Sequence, residues 1–539
     1  MNDLVGKCIA RQGTMESDRS MLTSLWQTIN TYIACEPDIF YNNYLPAGTR
    51  FGYYQEPHAS MSLHRAVATV KWMITPSNQV YHRLTTTLPD DEQNDEVNRY
   101  LQKANDILFK FRQDPTANFN GAELDMYMMS LKYGTGALFI GESEFGTPYY
   151  KSIHLAHFFV AENQYGRVNT LYRKLTYTAA QAIEAFGFDN LCKEIQKDSY
   201  DAPENKYDFL HVVQPNNNFV KDSKVKTELK FIELYIDIGD KSIIESNGYH
   251  VFPYVVPRVN KYQNEVYGRG LSDLCLQSVV ALMHKNTAYT NAINDAIDPL
   301  LLTKDGEDVM GVMNAQNGKY IYGGVDENGK PTVIPMERVQ PQVLNSMQAF
   351  MQQDIEVINE AFLSDIFDTL KENPQMTATQ VMQLVQEKGA LLSPMMSTFQ
   401  VEYLEALVER ELDILQRNGY IEDNGKKIGY KIEYLSPLAI AQQAGKAKGI
   451  LDTLQQSAEI AQFDNTIINL FDFETIIRQL TQMNGAPLEI LKTPEEYQAL
   501  KQQQMQQQQA QNLLQAAPQI GDTAKSFAQA QALQGRPNV

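Results

Sequence analysis

His154 and His157, in the run HLAH, are the first residues whose chemistry draws notice, because imidazoles at helix spacing can share a metal ion. The surrounding residues alternate and are punctuated by glycine, however. That pattern predicts a strand, which points the two rings to opposite faces and assigns them to local packing. Two close glycines in GTGALFIG (134–141) are the nearest approach to a phosphate cradle. Strand-forming residues follow them where a helix would have to hold a pyrophosphate, so the stretch reads as a tight turn into a strand. There is no GxxxxGK[ST], no HExxH, no GxSxG and no cysteine beside a histidine. Cys8, Cys35, Cys192 and Cys275 are scattered without CxxC spacing, which fits a reducing, cytosolic setting better than a zinc knuckle or a disulfide framework. GKAKG (445–449) reads as surface charge on a helix, and DDEQNDE (90–96) as a solvated turn. No reaction, cofactor or metal site follows from these residues.

The totals point away from several other classes. A chain of 539 residues, 43% hydrophobic and 21% charged, can build a core and holds three or four domains' worth of polypeptide. No run approaches the ~18 apolar residues of a membrane span, and the start, MNDLVGKCIARQ, lacks the layout of a signal peptide. A net charge of −19 argues against gripping nucleic acid through a basic surface. It leaves room for a protein that lets DNA pass without holding it.

The elements that would position any site divide into two halves. Residues 15–40 and 58–75 repeat apolar residues at helical spacing, and EVNRYLQKANDILFKFRQD and NFNGAELDMYMMSLKYG predict a further helix pair. Between 85 and 97 a short polar strand gives way to an acidic turn. Strands and hairpins follow from 134 to 175, then a short capped helix over 176–187 ended by glycine, then strand-like runs between 206 and 260. The first half is therefore α+β. The second half opens with one helix from about Leu271 to Ile297, roughly 40 Å long at 1.5 Å per residue. A turn-rich β-element occupies 300–341, and a second long helix spans 343–368 with Leu344, Met347, Met351, Ile355, Ile358, Phe362 and Ile366 on one stripe. Asn373-Pro374 then breaks the chain. Thr377 and Gln380 can form a capping box for a helix running to about Asn418, with Gly389, Ser393 and Pro394 predicting a kink. A strand-like KIGYKIEYLSP, more helices to about 482, and a glutamine run with a Gly/Pro/Ala-rich end complete the chain.

Long helix, small β-element, long helix, short turn, kinked helix is a specific order, and several stretches add to it. They are DRSMLTSLWQTI, RAVATVKWMITPSNQVYHRL (65–84), NFNGAELDMYMMSLKYGTGALFIGE (118–142), HFFVAENQYGRVNTLYRKLTYTAAQAIEAFG (157–187), VYGRGLSDLCLQSV (266–279), PQMTATQVMQLVQEKGALLSP (374–394) and EYLSPLAIAQQ (433–443). In this order, over roughly 15–445, the sequence resembles the portal (head-to-tail connector) proteins of short-tailed, podovirus-like bacteriophages. It departs from them at SNQVYHRL, where the family tends to carry a tryptophan after the proline, and over the last ~90 residues, which match poorly.

The resemblance implies a mixed α+β, mainly helical portal fold assembled as a ring, usually of twelve copies, at one capsid vertex. It makes 1–270 a peripheral wing, 271–299 the first stem helix, 300–341 a β-rich clip and 342–368 the second stem helix. It makes 369–376 a tunnel loop, 377–429 a kinked wing helix, 430–500 a helical crown and 501–539 a Gln-rich tail, helical or disordered. A non-enzymatic channel for packaging and ejecting double-stranded DNA follows, joining head to tail and needing no cofactor. The implied partners are other copies of the chain, the large terminase subunit, a tail adaptor or tail tube protein, and major capsid and scaffolding or internal core proteins, with no membrane. The implied place is the portal vertex of the virion, and the host cytoplasm during assembly. Lys371, Glu372, Asn373 and Gln375 would lie in the tunnel loop, Lys285 and Asp354 would line the stem, and Lys319, Tyr320, Tyr322 and Lys330 would dock partners at the clip. Segment 271–372 holds six Lys or Arg against fifteen Asp or Glu, a net of −9, so twelve copies would surround the duplex with twelve times that, −108. An acidic wall repels phosphates, with Lys285 and Lys371 as the exceptions. The alternative is another ring-forming head-tail adaptor or tail component.

Overall fold

A computed structural model describes residues 2–34, 39–40, 56–87 and 95–297 (78, 222 and 224 excepted), 301–303, 328, 330, 333–335, 341–364, 395–422 (396 excepted) and 429–435. It also describes 449–458, 460, 470–483, 497, 499–504 and 506–507. Contacts divide the chain into one unit over Met1–Ala441 and another over Gln442–Val539.

The first unit begins with α1 (Asn2–Asp18) and α2 (Ser20–Ile29), followed by a π-helical turn, Asn30–Ala34. Helix starts here thirteen residues before the span the periodicity predicts. Val5 and Cys8, a turn apart, are buried on a sheet that the local sequence does not contain. Helix α3 (His58–Ile74) precedes β1 (His82–Thr86), and α4 (Asp95–Arg112) precedes α5 (Phe119–Tyr133). Helix α5 carries Glu123, Asp125 and Lys132 among its apolar residues and buries Phe119, Met126, Tyr127, Leu131 and Tyr133 in the main core. It stops at Gly134, whose φ of +94° suits glycine. A side chain on Gly134 would also meet the backbone of Gly268 at 2.3 Å, so the two glycines let two chain segments cross in contact.

Strands β2 (Leu138–Glu142), β3 (Pro148–Ser152), β4 (Phe158–Glu162) and β5 (Val168–Thr178) follow. Next come α6 (Ala179–Phe186), α7 (Lys193–Asp201), β6 (Lys206–Pro215), β7 (Phe231–Asp237), β8 (Ser242–Tyr249) and β9 (Tyr254–Val255). The predicted capped helix is α6: Gln181 N–H donates to Thr178 Oγ1 at 3.3 Å, Gln181 Oε1 accepts from Thr178 N–H at 3.1 Å, and Gly187 ends it. Strands β4 to β8 form one antiparallel sheet in sequence order, and β3-β2-β9 form a second. Alternation sends Leu210, Val212, Leu234 and Ile236 to the face covered by α1, and Phe209 to the face covered by α6 and α7.

Helix α8 (Leu271–Ile297) has the bounds read from the sequence. In the β-element, β10 (Leu301–Thr303) pairs antiparallel with β11 (Val333–Pro335). Helix α9 (Pro341–Ala361) is shorter than the 343–368 expected. Ser364 N–H donates to Asn359 O at 2.9 Å and Leu363 N–H to Glu360 O at 3.1 Å, with Leu363 at φ +57°. This is a Schellman stop, made with leucine at the left-handed position. It is pinned by Ile358 and Phe362, both fully buried, and by Asn359 Oδ1, which lies 2.9 Å from His58 Nε2 on α3. The cap Thr377–Gln380 and the kink at Gly389, Ser393 and Pro394 lie outside the described residues.

Beyond them a π-helical stretch, Gln400–Glu405, leads into α10 (Ala406–Arg417). Strand β12 (Tyr430–Tyr434) pairs with β1, from His82↔Tyr434 to Thr86↔Tyr430, so the first part of the expected helical crown is a strand in this unit. Leu84, Leu101, Leu108, Val408, Leu412 and Ile432 make a separate small core there.

In the second unit 449–458 is helical, and α11 (Phe473–Met483) starts at Asp472, whose carboxylate accepts from Thr475 N–H at 3.3 Å. Among the described residues no helix is long and apolar enough to cross a membrane.

Candidate functional site

The stretch 400–417 is held by three sets of buried polar contacts. Arg258 is fully buried; its Nε lies 3.0 Å from Glu402 Oε2, and it also pairs with Glu162 and donates to the carbonyls of Gly166 and Val266. One residue on, Tyr403 O–H donates to Glu123 Oε1 at 2.5 Å, and Glu123 also pairs with Lys71 of α3. Two turns further, Arg112 of α4 and Glu411 share bonds of 2.9 and 2.5 Å, with Tyr150 O–H on the same carboxylate. A π-turn is the kind of irregularity that marks a constrained site. Here it presents Glu402 and Tyr403, adjacent in sequence, to two separate partners. These partners lie 144 to 299 positions away in sequence, so periodicity gave no sign of them.

Helices α8 and α9 lie side by side. Lys285 Nζ is 2.7 Å from Asp354 Oδ2, bringing together the two residues expected to line a stem. Lys285 is therefore no lone cation awaiting phosphate, because its charge is met by a carboxylate that is 15% exposed. The stripe Met351, Ile355, Ile358 and Phe362 packs into the main core. At the start of α8, Asp273 lies 3.7 Å from Arg269, which is itself bonded to Glu265 at 2.7 Å. Burial pushes the Asp273 carboxyl up to about 6 against the pull of Arg269. Of the acids with described side chains on the two helices, Asp273 and Asp354 are thus paired, and Glu356 and Glu360, one turn apart on α9, are exposed.

Of the other expected site residues, Lys330 is exposed. Lys319, Tyr320, Tyr322, Lys371, Glu372, Asn373 and Gln375 lie outside the described residues. His154 and His157 are not on a strand. His154 precedes a short 3₁₀ turn, Leu155–His157, and its Nδ1 accepts from Ala156 N–H at 3.2 Å. The turn brings the two ring centroids to 6.1 Å. Burial, then Lys132, His157 and Arg19, hold His154 down at about 3; burial, then Arg173 and Arg19, lower His157. A site ringed by fixed cations repels a metal ion, and His154 packs instead against Phe40 and Tyr133. Among the described residues no group of three or more His, Cys, Asp or Glu stands ready to hold a metal.

The family of bacteriophage head to tail connecting proteins matches this chain over residues 5–491. The chain is 22% identical to a probable portal protein of Bordetella phage BPP-1 over 529 residues, covering 96% of this chain and 94% of that one. It is also 22% identical to the portal protein of Salmonella phage epsilon15, over 75% of this chain and 74% of that one.

Proposed function

We propose a working arrangement for this chain, which belongs to the bacteriophage head-to-tail connecting proteins and has the function of a phage portal. Its copies form a ring of twelve at the head-tail junction of the virion, assembled in the host cytoplasm, and double-stranded DNA is packaged and ejected through the middle. The ring has no catalytic part; a separate terminase docks on it and drives the DNA. A tail adaptor or tail tube protein joins it after packaging, and capsid and scaffolding or core proteins hold its rim.

The observation that carries this reading is the family match over nearly the whole chain, together with the order of the described elements. An α+β body precedes α8, the β10–β11 pair and α9 in the sequence of parts that a wing, stem, clip and stem require. Residues 1–270 serve as wing, 271–299 and 342–368 as stem, 300–341 as clip, 369–376 as tunnel loop and 377–429 as the helix returning to the wing. Residues 430–500 serve as the crown and 501–539 as a Gln-rich tail.

Chemistry supports a conduit that does not grip. Glu356 and Glu360 present two like charges on a stem helix, and Lys285 is neutralised by Asp354. A passing duplex would meet repulsion and few of the lysine contacts that slow it. Lys371 and its neighbours Glu372, Asn373 and Gln375 supply a weak contact at the constriction, and Lys319, Tyr320, Tyr322 and Lys330 face the docked partner.

Electron microscopy of the purified protein tests the arrangement. Averages down the particle axis are expected to show a closed ring of about twelve copies with an opening wider than a duplex, ~20 Å. Discrete monomers, or a ring too narrow for a duplex, would remove the channel.

A further inference from the structure

The two sheets of the first unit meet along an aromatic seam. The Phe139 ring of β2 lies 6.0 Å from Tyr149 of β3 and 4.9 Å from Tyr254 of β9, centroid to centroid. From the larger sheet, His211 stands 5.9 Å from Tyr254 and stacks on Tyr235 at 4.4 Å. Register sets Arg173 beside His211 and His211 beside Tyr235, so the three share the face turned away from α1. On β3, Tyr149 and Lys151 are two residues apart and share a face. The Arg173 guanidinium reaches the Tyr254 hydroxyl, which places its charge at this seam, where both Tyr149 and Lys151 feel it.

The seam is rich in donors and short of acceptors. Arg173 Nε is buried without an acceptor, and among the described residues no carboxylate pairs with Arg173 or Lys151. The hydroxyls of Tyr149 and Tyr235 have no hydrogen-bond partner there either. The acids on the same sheet face are committed elsewhere. Glu233 is bonded to His211 Nε2 at 2.8 Å and accepts from Tyr249 O–H at 2.6 Å. Asp237 accepts from Gly239 N–H at 2.9 Å, and Glu245 from Asn247 Nδ2 at 2.5 Å. Burial, then Arg173, lowers the Lys151 ammonium, as expected of two cations that share a site without a counter-ion. In a chain of net charge −19, with acids to spare, these two cations are left unpaired.

We propose that the seam is an oxyanion site, in which Arg173, Lys151 and the hydroxyls of Tyr149 and Tyr235 receive a phosphate or carboxylate group. The donor set fits that chemistry: a guanidinium fork, an ammonium point charge and two neutral hydroxyls can all donate to one group of oxygens. A cationic ligand would meet two positive charges and no free carboxylate. An apolar one would leave the buried Arg173 Nε unsatisfied. Arg173 is half-buried and set by its strand, whereas Lys151 is exposed and can swing onto the bound group. The site lies within one copy of the chain, so it stands apart from the ring reading above.

Equilibrium dialysis of the full chain against radiolabelled inorganic phosphate, and in parallel against radiolabelled acetate, tests the site at an ionic strength fixed with sodium chloride. One saturable site per copy is expected. Binding of phosphate alone identifies a phosphate group, binding of acetate alone a carboxylate, and binding of both the shared oxyanion chemistry. Lys151→Ala, at an exposed position, should keep the parent's melting temperature in buffer free of both anions and weaken binding at least tenfold. Arg173→Gln should abolish binding; if that variant fails to fold, Lys151→Ala carries the test. No saturable binding of either anion, or binding by Lys151→Ala at the parent's strength, would overturn the proposal.

Discussion

Lys285 and Asp354, 69 positions apart, meet at 2.7 Å across α8 and α9, with Lys285 Nζ also 5.8 Å from the Phe350 ring centroid. The pair fixes the relative height of the two helices and cancels the one cation with a described side chain on either. Lys285 is about one-third exposed, so water and salt weaken the attraction. A double-mutant cycle of Lys285→Ala and Asp354→Ala is expected to give a coupling of about 0.5–1 kcal/mol in urea unfolding. It should shrink in 1 M salt. A coupling indistinguishable from zero at low salt would mean the two charges do not interact in solution.

Arg112 and Glu411 are a different case, being 2% and 1% exposed. Breaking a buried pair leaves an uncompensated ion, so Glu411→Gln is expected to lower stability by about 3–5 kcal/mol. Replacing both partners with apolar residues of similar volume should cost less than the single change. Chemical denaturation of the parent and the two variants checks the order, and a Glu411→Gln loss below ~1 kcal/mol would show that the pair is not desolvated.

Gly268 has no room for a side chain. A Cβ there would stand 2.3 Å from Gly134 O and 2.4 Å from Val259 O, both backbone atoms that cannot swing aside. Gly268→Ala should therefore destabilise by about 3 kcal/mol. Gly6→Ala provides the contrast: it sits inside α1 with nothing within 4 Å, and alanine there should add about 0.5–1 kcal/mol. Thermal unfolding of the pair should shift in opposite directions; two shifts of the same sign would contradict the packing at 134–268.

Asp273 predicts a pH dependence. Its carboxyl is raised to about 6, first by burial, so the folded chain favours the protonated form. Stability from this group is full below about pH 4 and is lost as pH rises through about 6. Asp273→Asn should flatten that part of the profile. It should gain about 1 kcal/mol over the parent at pH 8, a discounted figure because the site is partly open to water. Urea midpoints at pH 5.5 and 8 check this: parallel slopes for parent and variant would place the carboxyl in water.

Much of the local structure is legible without coordinates. Thr178, Gln181 and Gly187 write a helix start and stop within ten residues, and the run from about Leu271 to Ile297 reads as one helix, which it is. Histidines 154 and 157 show the limit. Alternation predicted a strand, but the chain makes a 3₁₀ turn because Arg19, far off on the link between α1 and α2, donates to the carbonyls of Leu155, Ala156 and Phe158. The early stop of α9 is similar, since no glycine announces it and a buried Phe362 holds Leu363 in place.

By itself the sequence determined the order of elements, the acidic balance, the stripes on the long helices and the membership those features imply, because each is written in neighbouring residues. Only the tertiary structure decided which distant residues meet. Thr86 pairs with Tyr430, Arg258 with Glu402 and Lys285 with Asp354, and none of these partners shares a local pattern with the other. Burial made the difference: a charge taken out of water must find its counter-ion wherever the packed chain puts one, and that place depends on how all the elements close around it.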